Sequence, residues 1–300
     1  MIKKMLYNLY INHYYKKIIS NDFTAKELVQ SDINDFFYHE ASELKKNGIV
    51  QITDFEIDNN PIESLNNILD NKIKSYNFDN KPIINFSDIN LKNSIVESIL
   101  TDKKINFIIK DYLGKEATLD IISLSITKDS SQSTIVSEKW HYDNVGRRLK
   151  LFYYLNDNEN ISTDYVLKTN NIFHKNYTTE GSRRSNDFIN KFKNQINSFY
   201  PQKGKILIFD TNGFHRGNYK EKMQNSLKKN NISYRKMLKF EFSNSIKSDL
   251  FFGKNNSIGV RSTFFSKNFE FSNSPLINQK YLSDIGDIYY YDKNHKFYNN

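Results

Sequence analysis

Hydrophobic and polar positions divide the chain into an early part with helical spacing and a later part that alternates like strands. Over 1–20, Leu6, Leu9 and Tyr10 fall on one side of an amphipathic helix. Thr24 is placed to cap a short helix after it. The spacing predicts further helices over 32–46, 62–75 and 91–113. Asn47-Gly48 stops the first, Thr101-Asp102 breaks the last and Gly114 closes it. Ile49-Val50-Gln51-Ile52 starts an early strand over 49–55. From 117 onward the pattern changes, with Leu119-Asp120-Ile121-Ile122-Ser123-Leu124-Ser125-Ile126 as the first of several strands. Leu149 through Leu155, the Gly-flanked run 204–210 and the run 233–242 follow. In the last, Leu238, Phe240 and Phe242 take one face, and Arg235 and Met237 the other. Between these strands, 179–199 reads as a charged helical insert containing Arg183-Arg184, a solvated helix in preference to a lid or a partner surface. The extension 246–300 is polar and aromatic, with Phe251-Phe252, Phe264-Phe265 and Tyr289-Tyr290-Tyr291 suited to packing.

Helices first and short strands later predict an α+β fold. The expected architecture is a double-stranded β-helix, a cupin-like jelly roll with N-terminal helices buttressing one face. No internal repeat and no Pro- or Gly-rich linker interrupts the chain, so one domain is expected over 1–300. Its mainly helical part spans 1–116 and its jelly-roll core 117–245.

Trp140-His141-Tyr142-Asp143 carries the clearest chemistry. On extended backbone His141 and Asp143 share a face, while Trp140 and Tyr142 point away. Trp140, the only tryptophan, reads as core packing. His215 follows the buried run that ends at Phe209-Asp210 and the turn Thr211-Asn212-Gly213, which delivers it as a third ligand. Asp210 is an alternative carboxylate at odd spacing from His215. Two neutral imidazoles and one carboxylate suit Fe(II) and leave coordination positions open. Arg235 presents a planar fork for a carboxylate, and Lys150 is a second basic candidate. His13, His39, His174 and His295 have no partner pattern.

The order of these elements resembles the phytanoyl-CoA dioxygenase-like branch of the Fe(II)/2-oxoglutarate oxygenases. The resemblance rests on 140–143, on the strand and turn over 150–157, on Phe209-Asp210 through His215-Arg216-Gly217, and on Arg235. It implies that His141, Asp143 and His215 bind iron and that Arg235 binds 2-oxoglutarate. It further implies that O2 is consumed as a small-molecule C–H bond is hydroxylated, with succinate and CO2 released. A carboxylate at Asp143 favours hydroxylation over halogenation and leaves desaturation and ring formation open. Two features depart from the family pattern. His215 and Arg235 stand 20 residues apart, with a Lys- and Asn-rich loop over 220–231 between them. Tyr165-Val166 is followed by Leu167-Lys168-Thr169-Asn170 in place of a Gly-Ser-His turn.

Composition narrows the alternatives. The net charge of +9 suggests nucleic acid or an anionic surface, but 36 of the 43 basic residues are Lys and only 7 are Arg. Lysine spread over solvated faces explains the charge without a specific nucleic-acid partner, and leaves room for an anionic small-molecule substrate. The chain has no Cys, which excludes disulfides and thiolate zinc sites and fits a reducing cytoplasm. No apolar run reaches the roughly 20 residues of a membrane span, and no cleavage site follows the N-terminal helix. A zinc-dependent hydrolase on the same barrel and a non-catalytic jelly-roll binding protein are the competing readings. Oligomeric state has no signature in the chain.

Overall fold

Strands whose successive residues turn to opposite, mostly buried faces build two antiparallel sheets in the computed structural model. The structure describes residues 35–76, 78, 83–86, 94–114, 117–128, 138–143, 148–172, 182–218 and 234–244. The amphipathic helix over 1–20, the Thr24 cap, the loop over 220–231 and the extension 246–300 lie outside the described residues, as do His13, His174 and His295.

Four helices precede the main strands: α1 (Asp35–Asn47), α2 (Asn59–Ser75), α3 (Ser94–Thr101) and α4 (Lys103–Leu113). The expected break between the last two is real. Asp102 caps α4 by accepting from the Ile105 N–H at 2.8 Å. Nine strands are described: β1 (Ile49–Ile52), β2 (Ile83–Phe86), β3 (Ala117–Lys128), β4 (Arg148–Tyr154), β5 (Ser162–Val166), β6 (Ile196–Phe199), β7 (Ile206–Asp210), β8 (His215–Asn218) and β9 (Tyr234–Asn244). They form a large sheet in the order β1-β7-β4-β9-β3-β2 and a small sheet in the order β6-β5-β8.

One face of the large sheet packs on the helices. Leu149, Leu151 and Tyr153 of β4, Ile206 and Ile208 of β7, and Leu238, Phe240 and Phe242 of β9 join Leu44, Leu65, Leu69 and Ile108 in the main core. The strand period sends the other residues inward, where Phe152, Tyr154, Leu207, Phe209 and Met237 meet Tyr165 of the small sheet. In β3 the register shifts between Leu119 and Ile121. That irregularity changes the parity, so Leu119 and Ile122 both face the helices. A third cluster, Trp140, Tyr142, Val166, Ile189 and Phe214, covers the outside of the small sheet. Trp140 is thus the packing residue its sequence context suggested.

Three segments differ from expectation. The strand over 49–55 ends at Ile52. The strand β2 has no counterpart in the sequence reading. Among its described residues the insert is helical over α5 (Asn186–Ile189) and the 3-10 turn Asn190–Gln195, and its last four residues are β6. The reason is pairing: Ile196 through Phe199 register against Val166 through Thr163, a long-range partner that local periodicity does not reveal.

Tyr165 sits wedged between two glycines. A Cβ at Gly213 would lie 1.9 Å from the Tyr165 hydroxyl, and one at Gly48, where φ is +80°, 2.4 Å from it. The hydroxyl donates to the Asp210 carbonyl at 3.0 Å, holding the turn before His215. Gly213→Ala is therefore expected to destabilise the fold by about 1–3 kcal/mol through overpacking, seen as a lower melting temperature. An unchanged melting temperature would mean that Tyr165 can retreat and that the wedge is not rigid.

Candidate metal centre

The small sheet brings the two histidines together. The His141 N–H donates to the His215 carbonyl at 2.9 Å, and the His215 N–H donates back to the His141 carbonyl at 2.8 Å. Residues paired this way in antiparallel strands send their side chains to the same face, and the ring centroids lie 4.3 Å apart. The Asp143 N–H donates to the Thr211 carbonyl at 2.7 Å, which fixes the carboxylate on that face. His141, Asp143 and His215 each offer a ligand atom, all within 4.8 Å of one another. They are the one such group of three or more potential ligands among the described residues.

The turn that carries His215 is held from several directions. Asp210 accepts from the Asn212 N–H at 2.8 Å through Oδ1 and from the Tyr112 hydroxyl at 2.5 Å through Oδ2. It is fully buried and outside the ligand group, so it is a turn-holding residue and not the alternative ligand. Thr169 accepts from the Phe214 N–H at 3.0 Å, and the Asn212 side chain donates to the Asn170 carbonyl at 2.8 Å. Thr169 and Asn170 thus brace the turn that carries His215.

Protonation suits a cation. Each histidine Nδ1 faces a carbonyl, Lys139 for His141 at 2.7 Å and Gly213 for His215 at 2.9 Å. A carbonyl only accepts, so Nδ1 carries the proton and Nε2 presents its lone pair. The His215 Nε2 is buried without a hydrogen-bond partner, and the two Nε2 atoms lie 3.7 and 3.8 Å from Asp143 oxygens. Burial pushes His215 down to about 4. Burial, followed by the nearby His215, lowers His141 well below its ordinary value. Burial opposes ionisation of Asp143, but the Lys150 ammonium and the two histidines outweigh it and hold the carboxyl well below the usual range.

Charged neighbours line the same interior. Lys150 donates to Asp143 Oδ2 at 2.5 Å. Glu241 accepts from Arg148 at 3.0 Å and lies 3.5 Å from Lys239. Burial opposes Glu241 ionisation, yet Arg148, Lys150 and Lys239 bring it down to about 2. Lys239 and Glu241 share the parity of Arg235 on β9. Their inward placement was available from that alternation, although a charged face ordinarily reads as solvated. Arg235 is buried, 3.5 Å from the Thr163 hydroxyl and 3.4 Å from that of Thr127. His39 is exposed and away from the group.

No family model matches the sequence, and no curated protein matches it at the level of sequence. Comparison of structures finds the non-heme alpha ketoglutarate dependent epimerase SnoN from nogalamycin biosynthesis, at TM-score 0.50 and 10% identity over 70% of this chain and 84% of that one. EctD from S. alaskensis with 2-oxoglutarate and 5-hydroxyectoine matches at TM-score 0.50 and 13% identity, over 76% and 81% of the two chains. Its apoform matches at 0.51 and 11% identity, over 76% and 82%. This chain has the jelly-roll fold of the iron- and 2-oxoglutarate-dependent enzymes. The matches do not single out the phytanoyl-CoA dioxygenase-like branch. Among the described residues, no helix is long and apolar enough to cross a membrane.

The depressed imidazoles set a pH dependence. His215 titrates near 6.5 when unfolded and near 4 when folded. Between those values the unfolded chain holds a proton that the folded chain lacks, so stability falls as pH falls through that window. Each such imidazole contributes a slope of up to about 1.4 kcal/mol per pH unit. Urea unfolding of the metal-free protein is expected to show this decline below pH 6.5, and His215→Gln to make it shallower. Stability that stays flat across the window would contradict neutral, buried imidazoles.

Proposed function

We propose that this protein is an Fe(II)- and 2-oxoglutarate-dependent dioxygenase that hydroxylates a small-molecule C–H bond. The observation that carries the reading is the convergence of His141, Asp143 and His215, with both Nδ1 atoms engaged and both Nε2 lone pairs turned toward one carboxylate. Two imidazoles and a carboxylate with open positions are the donor set of the non-haem Fe(II) oxygenases. Bound there, Fe(II) supplies, with 2-oxoglutarate and O2, the oxidising power for attack on the substrate C–H bond, as succinate and CO2 are released. The closer likeness to the phytanoyl-CoA dioxygenase-like branch rests on the motif order alone.

The chain's own residues have distinct tasks in this reading. His141 and His215 each offer Nε2, and Asp143 offers the carboxylate oxygen that Lys150 leaves available. Lys150 keeps that carboxylate ionised and oriented, and its ammonium also lies within reach of a co-substrate. Arg235 holds the distal carboxylate of 2-oxoglutarate. Support comes from register: Thr163, beside the Arg235 guanidinium, pairs with Gly217, two residues beyond His215. Two strand residues rise about 7 Å, and the four C–C bonds of an extended five-carbon diacid span about 5 Å. The apolar interior formed by Phe152, Tyr154, Phe209 and Met237 excludes water from the intervening space.

Anaerobic protein given Fe(II) and 2-oxoglutarate is expected to develop a weak visible charge-transfer band, and Asp143→Ala to lose both the band and coupled turnover while keeping its circular dichroism. No band at saturating ligands would overturn the reading. Arg235→Ala is expected to raise the 2-oxoglutarate concentration needed for half-saturation by about tenfold or more, as for loss of a charge-assisted hydrogen-bonded pair worth about 1.5–3 kcal/mol. An unchanged requirement would move the distal carboxylate to another cation, Lys150 or Lys239.

A further inference from the structure

The row of side chains on the small sheet continues past the metal ligands. Arg183 faces His141 in an antiparallel bridge, on the side opposite His215, and the Arg184 N–H donates to the Trp140 carbonyl at 2.8 Å. Directly opposed residues share a face, so His215, His141 and Arg183 project inward together. Arg184 projects outward, where its guanidinium lies 5.1 Å from the Tyr142 ring centre and donates to that hydroxyl at 3.2 Å. The two adjacent arginines therefore have different surroundings. Arg184 is engaged with aromatic packing. The Nε and Nη1 atoms of Arg183 are buried with no hydrogen-bond partner among the described residues.

A guanidinium keeps its charge at any physiological pH. Withdrawing its donors from water without acceptors is costly, and no acceptor for them stands among the described residues. The surrounding charge points the same way. Among the described residues, Asp143 and Glu241 are the carboxylates in electrostatic contact with Arg148, Lys150, Lys239 and Arg183, two anions against four cations. A divalent cation and the two carboxylates of 2-oxoglutarate cancel each other and leave that excess in place.

We propose that Arg183 seats an oxyanion of the substrate, a carboxylate or phosphate group, beside the metal centre, which makes the substrate an anion. The proposal rests on the dioxygenase reading for the word substrate, but the anion subsite itself is testable without metal. A guanidinium with unpartnered, charge-assisted donors suits either oxyanion, and the position next to His141 orients the rest of the molecule across the metal face. The other source of a carboxylate at this position is 2-oxoglutarate, and the experiment separates the two.

Inorganic phosphate and acetate are the probes, titrated by calorimetry into the metal-free full-length protein. Wild type is expected to bind one anion saturably in the millimolar range. Arg183→Gln should weaken this at least tenfold, and Arg183→Lys less. Circular dichroism of each variant checks the fold, and the lysine variant keeps the test valid if the glutamine variant unfolds. No saturable binding to wild type, or binding unaffected in Arg183→Gln, overturns the subsite. In a second arm, 2-oxoglutarate is titrated into Co(II)-loaded protein and followed by the visible Co(II) bands. Equal affinity in wild type and Arg183→Gln, within about twofold, is expected. A tenfold loss in Arg183→Gln assigns Arg183 to the co-substrate and overturns the substrate role. Failure of wild type to bind Co(II) and 2-oxoglutarate at all counts against the dioxygenase reading, while the metal-free arm still decides the anion subsite.

Discussion

The reciprocal backbone pair between His141 and His215 is the contact on which the site depends. Two hydrogen bonds of 2.9 and 2.8 Å join segments 74 residues apart in the chain and force both imidazoles onto one face. Each neighbour in the row inherits its direction from that pair: Tyr165 opposite His215 on one side, Arg183 opposite His141 on the other. The segment 140–143 contributes a single bridge position and no strand of its own, so its placement comes from outside. The Asp143 N–H on Thr211 and the Arg184 N–H on Trp140 supply it. Such external bracing is what a metal site requires, because ligands must be held close to their working geometry by their supporting shell.

The interior of the large sheet combines aromatic packing with buried charge. On β4 the inward residues are Arg148, Lys150, Phe152 and Tyr154, passing from ionic to apolar along the strand. On β9 the corresponding sequence is Glu241, Lys239, Met237 and Arg235, and the register sets Lys150 directly against Glu241. Isolated charges would be expensive here, and buried pairs are weak sources of stability in any case. What they provide is electrostatic definition. Glu241 brings Lys150 and Arg148 inward, and Lys150 in turn keeps Asp143 ionised despite its burial. The carboxylate is thus prepared for a cation before one arrives.

The parts of this arrangement that were legible in the sequence are those governed by local rules. Helix breaks followed Gly48, Asp102 and Gly114, and the alternation of Leu238, Phe240 and Phe242 matched the core face of β9. The grouping of the three side chains was legible because parity joins His141 to Asp143 and a Gly-bounded turn presents His215. Pairing over distance was not legible. Nothing local distinguishes Ile196–Phe199 from a continuation of the helical turn before it, and nothing in Arg183-Arg184 tells which arginine faces inward. That depends on which residue stands opposite His141. Lys239 and Glu241 lay between these cases. Their parity was plain, but a charged strand face acquires its inward meaning only when a second sheet covers it.

Exposure along the small-sheet row carries the argument from architecture to approach. Tyr165 is fully buried, His215 is 4% and His141 6% exposed, and Arg183 is partly exposed. The closed end is sealed because Gly48 and Gly213 let Tyr165 fill the space. The accessible end is therefore the one carrying the guanidinium. Of these four residues Arg183 is the one with partial solvent exposure, and the cations around it favour an anion at that end. The fold alone hosts many reactions. This gradient, from sealed aromatic wedge to charged rim across two histidines, gives the row a direction, and it supports the proposed seating of an anion at the rim.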